Sequence, residues 1–377
     1  MPFVPGDMKD LNRRAVFDLI ASVDEISRVD IANALGTSTP TILKITNFFL
    51  EKGFITISGE GITARGRRPQ LLRFQPDNIM SVGVDYDGHR VKIAVSNYNG
   101  EVKAKKVLAA DGDFDGLVKE KLHRMIMDLL SENNISRPSL LGIGLSIPGS
   151  VDTKAATVEL GPLSGIRIKS NVRDTLAVLS EQTALPAHIF NDVNAAAIGE
   201  YVQRRLKFDD LVFIYYGAGI GAGIILNGKL RTGKHFYTGE IAHIVFDHEW
   251  ITDINKPGWL ETQLSDGALR DKFPAYAKGE HPKELIEYMA QNLALCVANI
   301  CNVMDIQNVV LGGGIMYSMG DELYERSQYY ANRLCMFNVE LQRPLSNTPT
   351  LVGTAFMALS KELEHMLSDD VTEYSMV

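Results

Sequence analysis

Hydrophobic positions recur at helical spacing three times in the first fifty residues, and then the texture changes. Leu11, Val16, Leu19 and Ile20 place one amphipathic helix over residues 9–20. A second, shorter helix is predicted from Ile26 to Leu35, with Ile31, Ala32 and Leu35 inward. Gly36 ends it, because glycine enters the left-handed cap conformation cheaply. Thr37, Ser38 and Thr39 offer N-cap oxygens, and Pro40 suits the first turn of a third helix. That helix carries Ile42, Ile45, Phe48, Phe49 and Leu50 on its apolar side and closes at Gly53. Two β-prone runs follow, Phe54–Ile57 and Gln70–Phe74, with a hairpin wing between them.

From Ile79 onward, β-prone runs alternate with helical patterns, which argues for α/β architecture. The run from Ser81 to His89 enters a strand, turns at Gly88 and leaves through Val91–Val95, and a further turn follows at Asn99-Gly100. Leu140–Gly149 reads as a buried strand ending in a Pro-Gly corner, and Ala187–Asn194 as a short strand whose end presents amide and carboxylate. A second cycle of strand, Gly-rich turn and strand begins at Leu211, and Asn308–Gly314 runs from a strand into a glycine triplet. The repetition predicts a duplicated fold, two lobes with a ligand cleft between them. The expected division is a winged helix-turn-helix over 1–75, a first lobe over 79–192 completed by a C-terminal helix over 355–377, and a second lobe over 193–354.

Helix, Gly-containing turn, helix is an arrangement that lays its second helix in the DNA major groove. Ser38, Thr39, Thr41 and Lys44 are the exposed residues near that helix start, and Arg65, Arg67 and Arg68 tip the wing. Guanidinium groups on a loop deliver charge and forked donors to phosphate or the minor groove. A helix-turn-helix outline alone also describes protein-interaction modules, and an arginine loop alone also describes a solvated turn. Their order and close spacing favour DNA. One such module offers little contact area, so a homodimer, or a dimer of dimers, on a pseudo-palindromic operator is expected.

Charge sharpens this division. The chain carries a net charge of -8, but residues 1–75 hold ten Lys/Arg against eight Asp/Glu, a balance of +2, which leaves -10 beyond. Only one end is suited to meet phosphate. The three cysteines, Cys296, Cys301 and Cys335, are too few and badly spaced for a disulfide framework or metal cluster and read as packing residues. No signal-peptide pattern or membrane-length apolar run stands out, so a cytoplasmic location without membrane contact is expected.

Gly217-Ala-Gly-Ile-Gly-Ala-Gly-Ile-Ile-Leu-Asn-Gly-Lys229, followed by Gly239-Glu-Ile-Ala-His243 and preceded by Asn191-Asp192, resembles the ROK family of repressors and sugar kinases. The resemblance covers essentially the whole chain and implies an actin-like ATPase fold behind a winged helix. It further implies that Asp192 stands at the position of the kinases' catalytic base, and that Asn191, Glu240, His243 and Glu261 stand at sugar-holding positions, with Gly149 beside them. The chemistry fits, because carboxylates, amides and imidazole match vicinal hydroxyls, and a buried site of this kind rejects molecules lacking them. Pro162-Leu-Ser-Gly-Ile166 departs from the family's Asn-Leu-Pro-Gly-Trp, so part of the sugar surface differs.

The phosphate side departs further. Where the family's first phosphate turn resembles Asp-x-Gly-Gly-Thr, this chain reads Asp85-Tyr-Asp87-Gly-His89, which sets a carboxylate where phosphate oxygens would sit. Ala218 replaces a threonine donor in the second turn, while the third, Gly312-Gly-Gly314, survives as a phosphate turn or as a tight corner. The family's zinc cysteines fall at Thr252, Ile254 and Trp259, which are not zinc ligands, and Trp259 is expected to anchor that segment by packing. No zinc and no ATP cofactor is therefore expected. The reading is a sugar-responsive transcriptional regulator, a repressor before an activator, and not an enzyme. The alternatives are an ATP-dependent sugar kinase that binds DNA, and a repressor titrated by a protein partner.

Overall fold

The computed structural model describes residues 5–60, 69–110, 113–159, 169–205, 207–217, 219–246 and 258–368. The first helix, α1, spans Pro5–Ala21. Ile26 and Ser27 form a short strand, β1, and only then does α2 run, over Arg28–Leu35. The helix predicted from Ile26 thus starts two residues late, because Ile26 and Ser27 pair with Leu72 and Leu71. Ser27 Oγ then accepts the Asp30 N–H as the N-cap, and Gly36 closes α2 at φ +60°. Ser38 caps α3, Thr39–Glu51, whose Ile42, Ile45 and Phe49 are buried. Strands β2 (Ile55–Glu60) and β3 (Gln70–Phe74) complete a sheet in the order β1-β3-β2. The wing, with Arg65, Arg67 and Arg68, lies outside the described residues.

Two five-stranded sheets follow. The first holds β4 (Met80–Tyr86), β5 (Arg90–Asn97), β6 (Val102–Ala109), β7 (Leu140–Ile147) and, after a small three-stranded sheet, β11 (Ala187–Asn191). The small sheet is β8 (Ser150–Asp152), β9 (Thr157–Glu159) and β10 (Lys169–Asn171). The second holds β12 (Leu211–Tyr216), β13 (Ile220–Leu226), β14 (Lys229–Leu230), β15 (Asn308–Gly312) and β16 (Glu340–Gln342). Each has an antiparallel meander joined to two parallel strands, in the orders β6-β5-β4-β7-β11 and β14-β13-β12-β15-β16. The duplication expected from the glycine-turned strands is present.

The helices are α4 (His123–Glu132), α5 (Arg173–Thr183), α6 (Asp192–Gln203), α7 (Trp259–Leu264), α8 (Asp266–Lys272), α9 (Lys283–Met304), α10 (Gly314–Leu334) and α11 (Pro349–Leu367). α6 lies on β12 and β13 of the second sheet, α11 lies on β4, β5 and β7 of the first, and the two helices pack against each other. Their crossing is close enough to exclude side chains. A Cβ on Gly353 would stand 1.7 Å from Ala195 O, and one on Gly199 would stand 1.9 Å from Pro349 O. α11 begins at Pro349, earlier than the expected 355, because the lobe boundary runs through this helix pair. Residues 369–377 lie outside the described residues.

α11 also closes the core of the winged helix. Leu359, Leu363 and Leu367 are buried together with Val16, Phe17, Ile31, Phe49 and Leu72. Tyr98, just after β5, stacks edge-on with Phe17 at 5.3 Å and Phe74 at 5.2 Å and contacts Phe356 of α11 at 5.7 Å. Aromatic pairs of this kind contribute about 0.5–1.5 kcal/mol each beyond their area. Arg13 adds a hydrogen bond to Leu367 O. The winged helix is therefore docked on the first lobe by a shared apolar core.

Candidate functional site

The cleft chemistry gathers where the ends of β4, β7 and β11 meet the start of α6. Asp85 pairs in register with Lys92 on β5 and Ser146 on β7. Lys92 Nζ donates to Asp85 Oδ2 at 2.7 Å, and Ser146 Oγ to Asp85 Oδ1 at 3.2 Å, so this buried carboxylate is partnered. Asn191 ends β11 and caps α6. Its Oδ1 accepts the Asn194 N–H at 2.8 Å, and its Nδ2 donates to Gly149 O at 2.9 Å and to Asp192 Oδ1 at 3.2 Å. The amide is largely engaged in fixing this corner, which narrows what Asn191 and the Gly149 carbonyl offer a ligand. The strand predicted to continue to Asn194 stops at Asn191, since Asp192 already begins the helix.

Asp192 is half-buried, and its carboxyl is pushed up to about 7 by desolvation, by Asp85 and by Glu240. A carboxylate with acidic neighbours in a low-dielectric corner holds its proton longer. Tyr215, on β12, faces the same corner: burial and then Asp192, Asp85 and Asp87 push its hydroxyl up to about 12. Its hydroxyl would stand 2.6 Å from a Cβ on Gly217, so any larger residue there would have to displace the ring. Sequence reasoning passed over Tyr215 and Lys92. The alternation of β12 places Tyr215 opposite its buried neighbours, and the pairing of β4 with β5 sets Lys92 across from Asp85.

The first phosphate-type turn is closed from within. Asp87 Oδ1 accepts the backbone N–H groups of His89 at 3.1 Å and Arg90 at 2.8 Å, while Lys92 Nζ lies 3.7 Å from its other oxygen. Burial raises the Asp87 carboxyl, but those N–H groups, Lys92 and Arg90 outweigh it and hold it below the usual range. The donors that a phosphate would use are thus taken by a carboxylate of the chain itself. In the second turn Gly217 donates to Gly219 O at 3.0 Å, and Ala218 lies outside the described residues. The glycine triplet forms a corner: Gly313, at φ +107°, precedes α10, and a Cβ there would stand 2.3 Å from Tyr216 O.

Glu240, His243 and Glu261 are positioned by two further glycines. Gly239, at φ +90°, lies so close to β13 that a Cβ would stand 1.7 Å from Ala222 O. This clamps the short 3-10 turn Ile241–His243, with exposed Glu240 before it, onto the second sheet. Gly258 would bring a Cβ to 2.1 Å from Ala242 O, which sets the first turn of α7, with Glu261, against Ala242 and His243. Asp192 and Glu240 are thus brought into electrostatic reach of each other. Trp259 stacks edge-on Phe246 at 5.0 Å, the packing anchor expected for it, while Thr252, Ile254 and Pro162–Ile166 lie outside the described residues. Tyr237, three residues before Glu240, donates to Glu159 on β9 at 2.9 Å and so ties the second sheet's loop to the small sheet.

On the outer side of the winged helix, Ser38, Thr39 and Lys44 are exposed and Thr41 is half-buried. Ser38 and Thr41 are joined hydroxyl to hydroxyl at 2.8 Å in the cap of α3, which leaves Thr39 and Lys44 the freer pair. Leu43 and Asn47, exposed on the same outer face at i+4 spacing from Thr39, were not singled out from sequence. Arg28 Nε donates to Thr46 Oγ1 at 2.8 Å and braces α3 from α2. Cys296 and Cys301 are buried, with thiols pushed up to about 12 by burial, and Cys335 is half-buried. No helix among the described residues is long and apolar enough to cross a membrane.

Residues 81–361 match the sequence profile of the ROK family. The chain is 25% identical over 395 residues to a xylose repressor of Caldicellulosiruptor bescii, covering 94% of this chain and 97% of that one. It is 23% identical over 334 residues to an N-acetylglucosamine repressor of Escherichia coli O157:H7, covering 82% of this chain and 81% of that one. Among solved structures, a ROK family transcriptional regulator described as a homologue of the E. coli MLC protein superposes with a TM-score of 0.78 at 21% identity, over 96% of this chain and 99% of the other. A ROK hexokinase of Thermus thermophilus superposes with a TM-score of 0.62 at 23% identity, over 76% of this chain and 99% of the other. That superposition covers about the share of the chain left once the winged helix is set aside. With the profile matched across both lobes, the chain belongs to the ROK family.

Proposed function

We propose that this protein is a sugar-responsive transcriptional repressor that binds operator DNA through its winged helix and a sugar between its lobes. The observation that carries the reading is the continuity from cleft to DNA reader. Asp192 opens α6, α6 crosses α11 at glycine contact distance, and α11 buries Leu359, Leu363 and Leu367 in the core of the winged helix. A ligand that alters the lobe angle has a packed route to the DNA-reading module, and it acts only through different affinities for the two states. A tenfold loss of operator affinity needs about 1.4 kcal/mol of coupling. The relatives named as repressors support the same reading. Two copies on a pseudo-palindromic site fit the small contact area of one winged helix.

The self-occupied Asp87 turn supports sensing over phosphoryl transfer, and Thr252, Ile254 and Trp259 support operation without zinc. One observation favours the second reading, an ATP-dependent sugar kinase: an acid near 7 is well matched to taking a proton from a sugar hydroxyl. The experiment is thermal denaturation of the purified chain against a panel of sugars, sugar phosphates and ATP, because selective binding raises the melting temperature by mass action. A shift with one sugar and none with ATP, abolished in Glu240→Ala while DNA binding survives, is the expected result. ADP release with a hexose would overturn it in favour of the kinase, and silence across the panel would favour a protein partner.

A further inference from the structure

Away from the cleft, a cavity of about 280 Å³ opens on the outer side of the first lobe, between α5, β11, α11 and the turn that joins β8 to β9. Its walls bring together Lys154, Arg173, His188 and Lys361, four nitrogen-bearing side chains from four separate elements, with Thr153 and Ser180 beside them. Among the described residues no carboxylate lines it. Glu362, the nearest acidic neighbour of Lys361 in sequence, is held at 2.6 Å by His188 Nε2. Among the described residues Lys154, Arg173 and Lys361 form no ion pair, in a chain whose other surface lysines and arginines are often paired with acids. Asp152, the acid nearest Lys154 in sequence, is spent on the Lys154 and Ala155 N–H groups at 2.9 and 3.0 Å.

Three cations converge here, and only Lys361 has carboxylates, Glu362 and Glu364, acting on it, an arrangement that a bound anion would stabilise. We propose that this cavity is a binding site for a small organic phosphate, distinct from the sugar cleft. Arg173 supplies a forked donor for two phosphate oxygens, Lys154 and Lys361 act as point charges, and the Thr153 hydroxyl completes the shell. The volume falls just below the usual span of ligand-sized clefts, about 300 Å³ and upward, which favours a three-carbon or similar phosphate over a nucleotide. Lys361 bears the clearest mark of this environment: burial holds its ammonium below the ordinary lysine range, despite Glu362 and Glu364. It also sits over the Phe190 ring at 5.4 Å, which holds the side chain against β11.

The placement gives such a site leverage. Lys361 lies about 200° around α11 from Leu359 and from Leu363, at roughly 100° per residue. One face of the helix thus meets the cavity while the other closes the core of the winged helix. A bound phosphate would tie α11 to α5 and to the β8–β9 turn directly behind the DNA-reading module.

Isothermal titration of the full chain with glycerol 3-phosphate and with inorganic phosphate tests the site. Saturable binding of glycerol 3-phosphate is expected, weakened by about tenfold or more in the Arg173→Gln/Lys361→Gln double variant, the loss of charge-assisted contacts. Arg173→Lys should retain part of it, and Glu240→Ala, in the cleft, should leave it unchanged. Circular dichroism confirms that the double variant is folded, which the exposure of Arg173 favours. Equal binding by wild type and double variant would overturn the assignment, and so would the absence of saturable binding to wild type. Loss of binding in Glu240→Ala alone would place the phosphate in the cleft and also overturn it.

Discussion

The two five-stranded sheets share one strand order, yet the turns that lead out of their first strands are closed in opposite ways. In the first lobe, Asp87 folds back onto the N–H groups of His89 and Arg90, and Lys92 bridges it to Asp85. In the second lobe, the turn after Tyr216 is glycine, with Gly217 bonded to Gly219 and the Tyr215 ring filling the space beside it. The first turn carries its own anion, and the second relies on bare backbone. What the comparison teaches is that duplicated topology preserves the place of a phosphate turn without preserving its use. A side chain of three heavy atoms beyond Cβ is enough to satisfy the donors from within.

The lobes themselves are held in relation by α6 and α11, so the largest test of the comparison lies there. Gly353→Ala should destabilise the protein by roughly 2–3 kcal/mol, an overpacking cost that exceeds the helix-propensity gain of up to about 1 kcal/mol. The obstructing atom is backbone, Ala195 O, so neither helix relaxes without parting from the other. Chemical denaturation measures the change. A variant as stable as the wild type, or more stable, would mean that the helices do not cross at this distance. If they do, the same substitution should also weaken the communication between sugar and DNA.

Much of this architecture was legible in the chain. Gly36, Ser38 and Pro40 mark their helix boundaries by local chemistry, which needs no tertiary contact, and the glycine-turned strands announced the duplication. Asn191 and Asp192 were placed at a strand end, but not at a helix start, because a cap and a strand terminus look alike without the following turn. The shared core of Leu359, Leu363 and Leu367 with the winged helix was not legible, since a helical apolar stripe does not name its partner. Neither was the Lys92–Asp85 bridge, which depends on register across β4 and β5. Along α9, the residues from Leu293 to Cys301 are mostly core, while Val303 points outward at 83% exposure.

A smaller effect should come from the acid at the cleft. Asp192 ordinarily titrates near 3.8, and in the folded protein it does so at about 7. Between these values the folded state binds more protons than the unfolded state, so this residue makes stability fall as pH rises from about 4 to about 7. Above that window the full penalty is present, and below it none is. Asp192→Asn removes the charge and should therefore raise stability at pH 8 by about 1–2 kcal/mol, after discounting for its partial exposure and screening. At pH 5 the gain should fall to less than half of this, and near pH 3 it should vanish. Melting curves of both proteins across this range decide it, and a gain that grows toward acid would reverse the assigned direction.

The smallest effect falls on the turn that distinguishes the lobes. Asp87→Ala removes the acceptor of two backbone N–H groups on an exposed turn, where water replaces part of the loss, so about 1 kcal/mol of destabilisation is expected. The informative readout is anion binding. With the carboxylate gone, the His89 and Arg90 N–H groups and Lys92 face an empty turn, and inorganic phosphate or ATP should stabilise Asp87→Ala more than the wild type. The melting temperature of each protein with and without ATP measures this directly. An equal response from both would mean that Asp87 is not what keeps the turn from phosphate, and that the difference between the lobes lies in their strands rather than in this one carboxylate.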